Sequence, residues 1–311
     1  MTDMTDRTES ERKADSGIVE LRTQSDSGTK ISWTDETWNP VHGCSKVSEG
    51  CKNCYAERIS YRKFSITDHP WTEEHAEANV QLKPYKLDEP RKFSEPTRIF
   101  VNSMSDLFHR LVPDEFIHDV FDVIEDLPQH RFQILTKRPE RAVEWSRWPD
   151  NVWMGTSVEN ARVADRIDTI SQCDANVLFI SFEPLLAPVG DVDLSEIDWA
   201  IVGGESGQNY RPMDHAWARE IRDLCVRDEV AFFFKQSAAY RTEMGTELIE
   251  EDGSKRIYNE FPAEIVDFEG VTIATETRGA NSGGFEYDES QGVAKTSDSS
   301  KPVTLDDFST E

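Results

Sequence analysis

The chain has 311 residues, enough to bury one sizeable core, and carries 60 Asp and Glu against 34 Lys and Arg, a net charge of −26. No apolar run approaches the roughly 20 residues of a membrane span, and the N-terminus has no apolar secretory segment. Five cysteines, three of them clustered, do not make a disulfide framework, so the composition points to a cytoplasmic protein of a reducing compartment with no membrane association.

Acid is not confined to the ends, since residues 30–270 carry 45 acidic and 27 basic residues. Of the 34 basic residues 13 are Lys, a pattern similar to proteins of salt-loving organisms, whose acidic surfaces stay hydrated in concentrated salt.

Residues 1–29 are polar, with too little aliphatic content to repay the entropy of ordering, and are expected to form an acidic tail. A short aromatic-rich strand over 31–40, with Trp33 and Trp38, delivers the chain into Cys44-Ser-Lys-Val-Ser-Glu-Gly-Cys51-Lys-Asn-Cys54-Tyr55. Three thiolates this close can face one metal centre if the loop is tight. A structural zinc normally takes four protein ligands, and His42 is the nearby candidate for a fourth. A three-cysteine set instead suits an iron–sulfur cluster with one open iron; a zinc knuckle or three unligated thiols are the plainer readings.

A helix is expected from Cys54 to about Phe64. Residues 65–96, broken by Pro70, Pro84, Pro90 and Pro96, read as an insertion or lid, in which Lys83, Lys86, Arg91 and Lys92 lie among aromatics. Strands are then expected over 97–103, 131–138, 152–156, 176–180, 199–202 and 231–234, with helices over 113–127, from 139, over 163–173 and over 214–228. Cys173 and Cys225 fall late in helices and read as buried core. Repeated strand–helix units predict an α/β fold with a parallel sheet, a partial or near-complete (β/α) barrel spanning 30–268. Residues 269–311 read as a second acidic tail.

Each strand ends in a polar signature: Asn102-Ser103-Met104-Ser105-Asp106, Thr136-Lys137-Arg138, Ser157-Val158-Glu159-Asn160, Ser181-Phe182-Glu183-Pro184, Gly203-Gly204-Glu205-Ser206-Gly207 and Lys235-Gln236. Active sites of α/β folds assemble at the C-terminal ends of strands. Taken singly, Ser157 and Asn160 read as helix caps and the glycines as turns. Caps do not require Lys137, Glu159, Glu183, Glu205 and Lys235 at the same relative place.

These signatures, with Trp38-Asn39-Pro40, the cysteine loop, Leu135-Thr136-Lys137-Arg138-Pro139, Arg211-Pro212-Met213 and Phe233-Phe234-Lys235-Gln236, closely resemble the phage gene product 37/68 family, a domain of unknown function (number 5131) that looks like a relative of the radical S-adenosylmethionine (SAM) enzymes. The resemblance runs from about Ile31 to Pro262. It implies a barrel of radical-SAM type, a [4Fe-4S] cluster on Cys44, Cys51 and Cys54, SAM as cosubstrate, and an electron donor such as ferredoxin or flavodoxin. It further implies cofactor contacts from Tyr55, Ser103, Asp106, Ser157, Glu159 and Asn160, and catalytic or substrate contacts from Lys137, Glu183, Glu205 and Lys235, with Arg138 and Arg211 beside them. A nucleic acid or nucleotide is the candidate substrate class.

The chain departs from the usual radical-SAM loop in two respects: six residues separate Cys44 from Cys51, and Asn53 precedes the last cysteine. No Gly-Gly-Glu follows the second strand. An iron–sulfur or zinc protein that binds a nucleotide without radical chemistry is the alternative.

Overall fold

The computed structural model describes residues 29–63 and 66–262, and beyond them the backbone of Glu264–Phe268, Val271–Thr275, Tyr287–Asp288 and Val293–Ala294. The expected N-terminal tail therefore lies almost wholly outside the described residues. So does the C-terminal one, apart from these strands; Glu264–Phe268 pairs antiparallel with Val271–Thr275 across the expected end of the barrel domain.

Seven strands form one sheet in strict chain order: β1 (Glu36–Trp38), β2 (Arg98–Val101), β3 (Arg131–Thr136), β4 (Val152–Ser157), β5 (Val177–Phe182), β6 (Trp199–Gly203) and β7 (Ala231–Gln236). Every neighbouring pair is parallel, and the sheet curls into a half-barrel with helices around it. The expected α/β partial barrel is thus present. The runs are short, apolar and rich in Val, Ile and Phe, as strands buried on both faces must be.

After the cysteine loop comes α1 (Tyr55–Glu57), continued by a π-helical stretch, Arg58–Lys63. The best-formed outer helices are α2 (Asp114–Glu125) and, late in the chain, the helix His215–Asp228; between them lie two single-turn helices, Pro139–Ala142 and Asp165–Ile170. α2 opens on Asp114 and Glu115, whose charge suits the N-terminal end of the helix dipole, and buries Phe116, Ile117, Val120, Phe121 and Ile124 along one face. The helix His215–Asp228 is capped by Asp214, which accepts from the Ala216 amide at 2.9 Å, and it buries Ala218, Ile221 and Cys225.

Side chains of a strand alternate between the two faces. Ile99, Val101, Ile134, Met154, Ile180 and Val202 join the helix residues in one outer core. The alternate residues, Phe100, Trp153, Phe179, Trp199 and Phe233, form with Trp33 a separate inner cluster that contains no helix residue. This cluster fills the concave side toward the N-terminal ends of the strands. The expected first strand is shorter than its aromatic run: β1 covers Glu36–Trp38, because Trp33 turns inward to pack 4.7 Å from Phe100 instead of extending the ladder.

Residues 66–96 contain short helical turns and the two-residue strand Gln81–Leu82, which pairs antiparallel with Val41–His42. The segment is built into the wall: Val80, Leu82, Leu87 and Phe93 pack on the outer core, and Trp38 Nε1 donates to the Lys86 carbonyl at 2.7 Å. Its basic residues are engaged locally, Lys86 with Glu89 and Arg91 with Asp88 and Asp126.

Trp199 lies at the centre of the inner cluster, with Phe261, Trp153, Phe179 and Phe233 at ring-centroid distances of 5.1, 5.7, 5.7 and 6.0 Å. Trp199→Ala is expected to destabilise the chain by about 3–5 kcal/mol in urea unfolding. A loss under about 1 kcal/mol would mean that this cluster is not tightly packed.

Candidate functional site at the barrel mouth

Along the concave face, side-chain size falls and then charge appears. Above the aromatic floor stand Gly155, Ser157, Ser181 and Gly203, and at the C-terminal ends of the strands come Lys137, Glu159, Glu183, Glu205 and Lys235. The two-residue step from Phe179 to Ser181 to Glu183, and from Phe233 to Lys235, keeps each series on the inner face. The four expected catalytic residues therefore reach one mouth, and they reach it as ion pairs.

Glu159 is completely buried. Its carboxylate meets Lys137 Nζ at 2.7 Å, accepts from Ser48 Oγ at 2.7 Å and from Arg166 Nη1 at 3.4 Å. Burial pushes its pKa up, but Lys137, Ser48 and Arg166 outweigh burial and hold it below the usual carboxylate range. Glu183 pairs with Lys235 Nζ at 3.0 Å and accepts from Ser181 Oγ at 3.3 Å. Glu205 accepts from Asn53 Nδ2 at 2.9 Å, from the Arg211 amide at 2.8 Å and from its guanidinium through Nε at 3.0 Å and Nη2. Burial raises the pKa of Glu205 and the Arg211 hydrogen bonds more than reverse it, leaving it lowered.

These bonds also fix the cysteine loop. Ser48 ties it to Glu159 beyond β4, Asn53 ties it to Glu205 beyond β6, and Arg211 Nη1 donates to the Glu49 carbonyl at 3.1 Å. At its start the Gly43 amide donates to the Met104 carbonyl at 3.1 Å, which sets the loop beside the end of β2. Arg138 closes the fourth side: Nη1 lies 3.6 Å from Cys44 Sγ and 2.8 Å from Asp106, and Nη2 donates to the Ser45 carbonyl at 2.9 Å.

Cys44, Cys51 and Cys54 are free thiols, with Cys54 immediately before α1. Burial pushes Cys44 up to about 12, with Arg138 pulling the other way and the charges of Asp106, Cys51 and Cys54 adding to the rise. Burial likewise raises Cys54. Burial thus favours the protonated thiols of Cys44 and Cys54, and a bound metal would supply the charge that deprotonates them. Among the described residues no three His, Cys, Asp or Glu side chains converge closely enough to hold one metal ion, and His42 Nδ1 is buried without a partner. A tetrahedral zinc needs its donors around a single ion, whereas a cluster spreads its cysteines over separate irons. Three cysteine sulfurs on one loop are donors of the type that either kind of centre takes.

The expected cofactor residues are placed unequally. Tyr55 donates its hydroxyl to the Ser103 carbonyl, and Ser103 Oγ donates to Asn39 Oδ1 at 3.1 Å. Asp106 is saturated, accepting from the Phe108 amide, Thr136 Oγ1, the Lys137 amide and Arg138. Asn160 caps the turn Ala161–Val163 by accepting from the Arg162 amide at 3.0 Å, and the Ser157 carbonyl accepts from Arg166 at 2.8 Å.

Sequence reasoning assigned no role to Asn39, Ser48, Asn53 or Arg166, although the first three lie inside the quoted motifs or loop. Nor did it mark His109, buried with Nε2 2.9 Å from Ser45 Oγ. Its Nδ1 accepts from the Leu111 amide, so Nε2 carries the proton, and burial, with Arg138, lowers its pKa to about 4.

Two glycines make room for the carboxylates: a Cβ at Gly50 would sit 2.3 Å from Glu159 Oε1, and one at Gly203 would sit 2.4 Å from Glu183 Oε1. Glu159 is held from three sides and cannot retreat. Gly50→Ala is therefore expected to lower stability by about 1–3 kcal/mol in urea unfolding. Full stability in Gly50→Ala would show that the cysteine loop is not seated on Glu159.

A parallel half-barrel whose first strand delivers a three-cysteine loop to a mouth ringed by ion pairs is an α/β protein with its candidate site at the strand C-termini. The chain belongs to the family described as Protein of unknown function (DUF5131), whose model matches residues 28–291. Neither a curated protein nor a solved structure matches it.

Proposed function

We propose that the chain is a radical-SAM enzyme. The observation that carries this reading is the seating of three free cysteines on one loop against the charged ends of the barrel strands. When bound, a [4Fe-4S] cluster with one open iron and SAM supply an electron and a 5′-deoxyadenosyl radical able to abstract a substrate hydrogen.

Cys44, Cys51 and Cys54 would each hold one iron. Arg138 sets a positive charge beside Cys44 and is itself held by Asp106, so Asp106 serves the site through Arg138. Tyr55 and Ser103 bridge the cysteine loop to the end of β2 and stand where a cofactor on the loop would be flanked. Glu183 and Lys235 sit in the mouth as a pair about one-seventh exposed, able to exchange partners with a polar or zwitterionic group. Lys137 and Glu159 fix the wall beside them, and the aromatic floor keeps water from entering from below. A low-potential one-electron donor of the ferredoxin or flavodoxin class is the expected partner.

A second reading, an iron–sulfur protein that binds a nucleotide without radical chemistry, is favoured by the saturation of Asp106, Glu159 and Glu205 with protein donors. The two are separated by anaerobic reconstitution followed by addition of SAM and dithionite. The proposal expects 5′-deoxyadenosine from the wild type, none and no iron in Cys51→Ala, and full iron with at least about tenfold slower turnover in Lys235→Ala. An iron-loaded wild type that leaves SAM intact overturns it in favour of the second reading.

A further inference from the structure

Three loops abut on one side of the mouth: the cysteine loop with α1, the loop after β6 and the loop after β7. Asn53 Nδ2 donates to the Asn209 carbonyl at 3.0 Å, and the Gly207 amide donates to the Ala239 carbonyl at 3.0 Å. The Arg58 guanidinium lies against Gly207, where a Cβ would come 1.9 Å from Nη1. Each loop leaves a tyrosine in solvent: Tyr55 is 41% exposed, Tyr210 42% and Tyr240 60%, with Met244 at 48% close by in sequence. Large aromatic side chains left in water on adjoining loops mark a contact surface.

The charge of this face differs from that of the chain. Residues 44–61, 204–213 and 236–246 together carry five Lys and Arg against four Asp and Glu, while the remainder carries 29 against 56. The four acids are all engaged. Glu57 pairs with Lys46 at 2.8 Å, Glu49 lies 3.5 Å from Arg162 and 3.9 Å from Arg211, Glu205 is held by Arg211, and Glu243 accepts from the Ser32 amide. Lys52, Arg58 and Arg241 make no ion pair among the described residues. The basic residues of 83–92, by contrast, are occupied: Lys83 by Gln81, Lys86 by Glu89, Arg91 by two aspartates and Lys92 by the Phe93 ring.

We propose that this face docks a single-stranded stretch of nucleic acid, with phosphates on Lys52, Arg58 and Arg241 and bases stacked on Tyr210 and Tyr240. Stacking needs unpaired bases, whose faces a duplex hides, and it tolerates any sequence because every base has one. Few cations suffice, because the acidic remainder of the surface repels a polyanion everywhere else and confines it to the mouth. The docking stands on this chain's own residues; that the docked strand is also the substrate rests on the radical-enzyme reading above.

Fluorescence anisotropy of the full chain with a labelled oligothymidylate, a duplex of equal length and heparin as competitor tests it, alongside the deoxyadenosine assay. Single strands are expected to bind more tightly than duplex. Tyr210→Ala and Tyr240→Ala should each weaken binding about tenfold, a loss within the range for one stacked base. Lys52→Gln combined with Arg241→Gln should flatten the salt dependence by about 1.4 in log–log slope. All four positions are exposed, so circular dichroism should be unchanged, and Tyr85→Ala, 75% exposed on the 66–96 segment, should bind as wild type. Absence of binding at low salt overturns the proposal. So does equal affinity for duplex and single strand with the tyrosine variants unaffected, which is polyanion attraction only. Binding retained in a protein that leaves SAM intact upholds the docking face and removes the radical reading; deoxyadenosine formed without oligonucleotide binding does the reverse.

Discussion

The buried Glu159 carboxylate is the constraint on which the site depends. It is fully enclosed, and it is ionised because Lys137, Ser48 and Arg166 meet it from three directions. Leaving such a charge without its partner costs on the order of 3–5 kcal/mol, so the three donors are held as firmly as the carboxylate is. One of them, Ser48, belongs to the cysteine loop, and Gly50 lies directly on the carboxylate. The loop thereby inherits the rigidity of β4. Glu205 repeats the device on the other side, through Asn53 and Arg211. The cysteines need no long helix or disulfide to hold them in place; the barrel does it through two carboxylates.

The same alternation of side chains that builds the core builds the site. One face of each strand supplies aliphatic groups to the helices, and the other passes from aromatic to small to charged as the strand rises. Aromatic rings close the floor, glycines and serines leave space, and ion pairs line the rim. Six charged residues at the rim, Lys137, Arg138, Glu159, Glu183, Glu205 and Lys235, are paired within the protein, so their charges are already fixed in direction. The tyrosine-bearing face beside it differs in that three of its cations, Lys52, Arg58 and Arg241, make no ion pair among the described residues.

Much of this was legible in the sequence, because a parallel strand announces itself as an apolar run and its end as the first polar residue. The order of strands, the partial barrel and the gathering of Lys137, Glu159, Glu183, Glu205 and Lys235 followed from that rule. What escaped was what depends on distant partners. Trp33 reads like a strand residue, yet it leaves the ladder to fill the lumen against Phe100 and Trp199. The proline-broken stretch over 65–96 reads as an insertion or lid, and its spacing does not show that Val80, Leu82, Leu87 and Phe93 pack on the outer core. Asn160 keeps the capping role its position allows, and Asp106 looks like a ligand-binding carboxylate in its strand-end motif but spends its oxygens on Thr136, Lys137 and Arg138. Ser48, Asn53 and His109 carry no local signal, since a polar residue's partner across a barrel leaves no trace in spacing.

The central claim is that Cys44, Cys51 and Cys54 present a cluster with one iron open to a small-molecule ligand. Mössbauer spectroscopy of protein reconstituted anaerobically with iron-57, before and after SAM is added, tests it most directly. The account predicts a [4Fe-4S] signal in which one iron site shifts on addition of SAM while the other three do not. Four sites unmoved by SAM, or protein that takes up zinc and no iron, would contradict it.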